Sequence, residues 1–168
     1  MSKFSDILLI QCCLFLIPIN IYVIGDWLAT GVQWGLFRYQ QSYFGNSLIF
    51  FTKDIYFINN GMIYGRSALA SAMVGIATFL LLLACIFLIL AFQCENGAYV
   101  RAAAIITLTT GCLFLIADMI QYGALFHGPA GFVIPVGVPV ILVCGLWMYR
   151  ATFTDNNTQR SDENKIFG

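Results

Sequence analysis

SALASAMVGIATFLLLLACIFLILAF, from Ser67 to Phe92, runs without a single charged residue. A helix needs ~20 apolar residues to cross ~30 Å of hydrocarbon, and this stretch is long enough. In lipid the backbone finds no water, so such a run must satisfy its N–H and C=O groups internally, as a helix. Three further apolar runs flank it: Ile7 to Ile24, Ala102 to Ala117 and Gly131 to Tyr149. They lack the strand-length alternation of a membrane β-barrel. With flanks counted, they predict spans over 7–27, 67–93, 98–121 and 131–149, a first extracellular loop over 28–66 and a tail over 150–168. The fold class expected is an all-α membrane protein in one domain: a four-helix transmembrane bundle with a small antiparallel β-sheet in the first loop. Pro18, Pro135 and Pro139 fall inside spans, where kinks are expected.

Composition agrees with a lipid environment. Of 168 residues, 60% are hydrophobic and 10% charged, against about 25% charged in a soluble domain. The formal net charge is zero, which argues against a nucleic-acid partner. Lys3 ahead of the first run resembles a signal peptide, but no small-residue cleavage site follows, so we expect a retained helix. Both termini are expected in the cytoplasm of a multi-pass plasma-membrane protein. Lys3, Arg101, Arg150, Arg160 and Lys165 would lie on the terminal side, against Arg38, Lys53 and Arg66 on the other. Trp27 and Trp147 would anchor span ends at the interface.

The first loop is rich in aromatic and β-branched residues. Strands are expected at Gln33–Tyr39, Leu48–Phe51, Asp54–Ile58 and Met62–Tyr64, with Asn59-Asn60-Gly61 as a turn. So many aromatics imply a sheet face that packs on the helices, on lipid headgroups or on another chain.

Chemistry is poorly represented. His127 is the one histidine, no C-x-x-C pair exists, and no G-x-S-x-G, Walker loop, H-E-x-x-H or H-x-x-E-H motif occurs. We therefore expect no catalytic residue, no cofactor and no metal. The cysteines read as small buried hydrophobes, with palmitoylation of Cys94 as an alternative. Ionisable residues at membrane depth are the stronger lead. Arg66 and Asp118 are expected to pair near the outer surface, with Tyr22 or a loop hydroxyl as the other option for Asp118. Ser67, Ser71 and Gly75, and likewise Ala103, Thr107 and Gly111, form small-residue stripes that would pack spans two and three together.

Trp27, then Trp34-Gly35-Leu36-Phe37, then Arg66 opening a span, with a tight inner turn at Gln93–Gly97, resemble the claudin and peripheral-myelin-protein superfamily. Residues 25–66 lack the cysteine pair usual there, and Phe37 stands where the family has tryptophan. The resemblance implies a helical bundle topped by a sheet, in which Trp34, Gly35, Leu36, Phe37 and Arg66 shape the extracellular fold. It also implies work done by contact: adhesion, membrane organisation or an accessory-subunit role. The expected partners are the lipid bilayer and another membrane protein, or a second copy engaged through the first loop. A small transporter or channel subunit using Asp118 and Gln121 is the alternative, and a membrane-embedded enzyme or cofactor-holding subunit the third reading.

Overall fold

The computed structural model describes the backbone of residues 3–166 except Asp26 and Glu95, and the side chains of residues 5–151 with the same exceptions. The chain begins with α1 (Lys3–Cys13). Four strands follow: β1 (Asn20–Ile24), β2 (Ala29–Gln33), β3 (Phe37–Ser42) and β4 (Gly45–Phe50). Next come α2 (Phe51–Asn59), α3 (Gly65–Cys94), α4 (Gly97–Tyr122), β5 (His127–Gly128), β6 (Gly131–Ile134) and α5 (Gly137–Ile166).

This architecture corrects the four-helix transmembrane bundle expected from hydropathy. Among the described residues, only α3 and α4 are both long and apolar enough to cross a membrane. At 1.5 Å per residue, their 30 and 26 residues make rods of about 45 and 39 Å. The first apolar run is split. Helix ends at Cys13, a turn leads to Pro18, and Asn20–Ile24 continues as strand. Proline lacks the N–H a helix needs and pushes the residue before it toward extended backbone. The β-branched Ile19, Ile21, Val23 and Ile24 then favour a pleated conformation. The fourth run is split in the same way: Pro135 follows β6, and Pro139 sits in the first turn of α5, where its missing N–H costs nothing. These prolines mark element boundaries rather than kinks.

The sheet is also larger than expected. Its six strands lie in the order β4-β3-β2-β1-β6-β5, every pairing antiparallel. Most of it is drawn from outside the residues assigned to strands: β1, β5 and β6 wholly, and β2 but for Gln33. Of those assignments, only Gln33, Phe37–Tyr39 and Leu48–Phe50 are strand. Asp54–Ile58, expected as a strand, belongs to α2, and Asn59-Asn60-Gly61 ends that helix instead of turning a hairpin. Gly61 there has φ +68°, and the Asn60 side chain donates to the Tyr56 carbonyl at 2.8 Å. Tertiary contact decides the matter: Phe51 seats its ring over Gly75 of α3, where any Cβ would collide with it.

The main neighbour of α3 is α4, α4 also packs on α5, and α1 lies against α3. Asn96 caps α4 by accepting from the Ala98 N–H at 2.9 Å, which fixes the tight turn. The packing seam on α3 repeats every seven residues. Ala70, Ala77, Ala84 and Ala91 alternate with Val74, Leu81 and Leu88, all buried, in the 3-4 spacing of a left-handed helix pair. Small residues let the backbones approach. Of the stripes anticipated from sequence, Ala103 packs with Ala84, Leu88 and Ala91 of α3, whereas the glycines face other elements: Gly75 receives Phe51, and Gly111 makes room for Leu142 of α5. The cysteines also differ from expectation. Cys12, Cys13, Cys94 and Cys112 are exposed, Cys85 and Cys144 are half-buried, and all six are free.

Candidate functional site

Two features stand out: a polar chamber beneath the sheet and an aromatic hairpin at its edge. The chamber occupies about 370 Å³ between the sheet and the ends of α3 and α4 nearest to it. Tyr22, Gln33 and Arg38 line it from the strands, Ser67 and Ser71 from α3, and Asp118, Gln121 and Tyr122 from α4.

Asp118 is 4% exposed, and its Oδ1 accepts from Asn20 Nδ2 at 2.7 Å. Its Oδ2 is buried with no hydrogen-bond partner among the described residues, and so is Asn20 Oδ1. The expected Arg66–Asp118 pair is not formed. Arg66 is exposed at the start of α3, while Asp118 is buried and lines the chamber together with Ala70 and Val74. Asn20 takes the place assigned to Arg66, Tyr22 or a loop hydroxyl. The first run's turn at Pro18 is what brings it there. A lone asparagine two residues after a proline in an apolar run was the signal available in the sequence.

The arginine of the chamber is instead Arg38. Its Nη2 donates to Asp54 Oδ1 at 2.7 Å. Asp54 stands in the first turn of α2, where a negative charge suits the helix dipole. Burial raises the Asp54 carboxyl above its ordinary value, and Arg38 partly opposes the rise. Burial likewise raises the Tyr22 phenol. The Tyr22 ring lies across Gly31, its register partner on β2, and its hydroxyl donates to Gln40 Oε1 at 3.4 Å.

A raised folded-state pKa has a definite sign. The Asp54 contribution is fully present below the ordinary carboxylate value and is lost as pH rises through the folded value. Asp54→Asn is therefore expected to gain on wild type as pH rises from about 4 to 7. Unfolding midpoints of both proteins across that range check it; a constant difference would mean that Asp54 does not titrate differently in the fold.

The Trp34-Gly35-Leu36-Phe37 segment joins β2 to β3 and ties the sheet to the turn after α1, to α3 and to the start of α2. Trp34 Nε1 donates to the Leu16 carbonyl at 3.1 Å, and the ring stacks on Phe37 at 5.0 Å. Thr78 of α3 donates to the Gly35 carbonyl at 2.9 Å, and Leu36 accepts from the Phe51 N–H at 3.0 Å.

No protein-family model, curated protein or solved structure matches this chain. The site is therefore read from its own geometry.

The second feature is the β3–β4 hairpin, whose tip is Tyr43-Phe44. These rings are 91% and 98% exposed and meet edge to face at 5.8 Å. Tyr39 and Leu48, paired across the hairpin, and Phe50 extend the exposed apolar surface. Among the described residues no group of three His, Cys, Asp or Glu side chains converges as metal ligands do.

Proposed function

We propose that the protein is a multi-pass integral membrane protein, embedded through α3 and α4, that acts by contact and not by catalysis. Its β3–β4 hairpin engages another membrane protein or a second copy of this chain. The exposure of Tyr43 and Phe44 carries this reading. Two-residue hairpin turns normally hold Gly, Asn or Asp. Large aromatics there cost solubility and contribute nothing to the core, whereas at interfaces they are the residues that dominate binding.

Placement at the plasma membrane with cytoplasmic termini belongs to the same proposal. Ile7 of α1 and Met148 of α5 pack with Ala91 and Val100 beside the α3–α4 turn, so both chain ends approach that side. The sequence near it carries Lys3, Arg101, Arg150, Arg160 and Lys165, which favours the cytoplasmic face. The likeness to claudins and peripheral myelin proteins is also part of the proposal. Trp34, Gly35 and Leu36 support it by knitting the sheet to the helices. Residues 25–66 have no cysteine pair; ladder hydrogen bonds and the Trp34–Phe37–Phe50 ring contacts hold the strands there.

A photoreactive benzoylphenylalanine at position 44, activated in intact cells, tests the contact. A discrete protein adduct is expected, weakened by Tyr43→Ser in the same chain. The purified protein in vesicles would form the adduct with itself if the partner is a second copy. Adducts to lipid alone, or none, would remove the hairpin from the function.

A further inference from the structure

We infer that the chamber beneath the sheet is a binding site for a small organic ammonium group, with Asp118 as its counter-ion. The proposal is independent of the hairpin contact. It begins from the carboxylate: Asp118 lines the chamber, is almost wholly buried, and has one oxygen engaged by Asn20 and the other unpartnered. A buried carboxylate in an apolar segment is costly unless something completes its shell.

The charge balance selects the sign of the ligand. Arg38, the basic residue in the lining, is neutralised by Asp54 at 2.7 Å. That leaves Asp118 as the carboxyl group of the lining without a cationic partner among the described residues. The volume selects an organic cation over a bare ion. About 370 Å³ falls in the range of small-molecule pockets, and no convergent set of metal-ligating side chains exists among the described residues. The walls suit the choice. Tyr22 and Tyr122 bring two aromatic rings, whose faces attract ammonium groups. The hydroxyls of Ser67 and Ser71 provide neutral polar contacts.

The test uses the full-length chain in nanodiscs of phosphatidylglycerol, whose headgroup carries no ammonium. Tetramethylammonium, choline and ethanolamine are titrated calorimetrically at constant ionic strength, with sodium as the reference. At least one probe is expected to bind saturably. Asp118→Asn, which retains an acceptor for Asn20, should weaken it by about tenfold or more, as loss of one member of a buried charge pair does. Ser71→Phe, which fills the chamber from α3 and leaves Asp118 in place, should weaken it as much, and so keeps the test open if Asp118→Asn fails to fold. Native mass spectrometry of the protein extracted from cells separates the two sources of the group. A choline or ethanolamine lipid held by wild type and lost from Asp118→Asn means a lipid headgroup, and its absence alongside calorimetric binding means a free amine. No saturable binding of any probe, or equal affinity in wild type and both folded variants, overturns the proposal. Preferential binding of acetate or phosphate would overturn it too, by giving the chamber to anions at Arg38.

Discussion

Gly131→Ala is expected to cost about 3 kcal/mol or more, the sum of backbone strain and broken ladder hydrogen bonds. Gly131 begins β6 at φ +125°, a conformation that side chains rarely adopt. A Cβ there would also run into the Val23 carbonyl and the backbone of Ile24 on β1. Backbone cannot swing aside as a side chain can, so β6 would have to leave β1. That pairing is the link between the first part of the sheet and the segment after α4. Gly45 gives an internal control. Its φ of +121° is nearly the same, yet nothing lies within 4 Å of a Cβ placed on it. Gly45→Ala should cost only the strain, about 1–2 kcal/mol. Thermal or denaturant unfolding in detergent compares the two. Equal losses would mean that the close approach of β6 to β1 is not as described.

Phe114→Ala should be comparably severe, at about 3–5 kcal/mol. Phe114 is 0% exposed and belongs to the cluster that joins Leu14 after α1, Ile19 before β1, Val74, Ala77 and Leu81 of α3, and Val138 and Ile141 of α5. Removing the ring leaves a cavity where all these elements meet. In lipid the cost arises from lost packing rather than water transfer. Phe79→Ala, on the exposed face of α3, should change stability by about 0.5 kcal/mol or less. Similar losses at both positions would contradict the placement of Phe114 in the shared core.

How legible each element was depended on whether local chemistry could decide it. Residues 67–92 are helix under almost any reading, because nothing in them interrupts the pattern. The Asn96 cap and the small residues around it likewise mark a tight turn. The aromatic and β-branched content of Gln33–Tyr39 and Leu48–Phe51 announced strands, and parts of both runs lie in β3 and β4, which extend through residues 40–42 and 45–47 that it did not mark. Asp54–Ile58 reads as strand from its β-branched and aromatic content, yet it is helix, with Phe51 at the head of that helix seated in the notch at Gly75. No local pattern could show that, because Gly75 lies far along the chain from the segment it stabilises.

The candidate site was half visible. Asp118 stood out as an ionisable residue at the end of an apolar run. Its partner did not, since Asn20 is 98 positions away and lies in a run whose mean hydropathy suggests continuous helix. Arg38 counted only as an outer-side charge and Asp54 only as the start of an expected strand until β3 and α2 brought them together.

By itself, the sequence determined the apolar character of the chain, the two long helices α3 and α4 and the existence of strands between the first run and α3. Only the tertiary structure decided that the first and fourth runs divide at their prolines, and that Asn20–Ile24 pairs with Gly131–Ile134 to close one six-stranded sheet over a polar chamber. The reason is physical. Hydropathy measures what side chains gain on leaving water, and a buried strand gains as a buried helix does. Which of the two forms depends on where the backbone hydrogen bonds find partners, and for a strand those partners lie on segments distant in the chain.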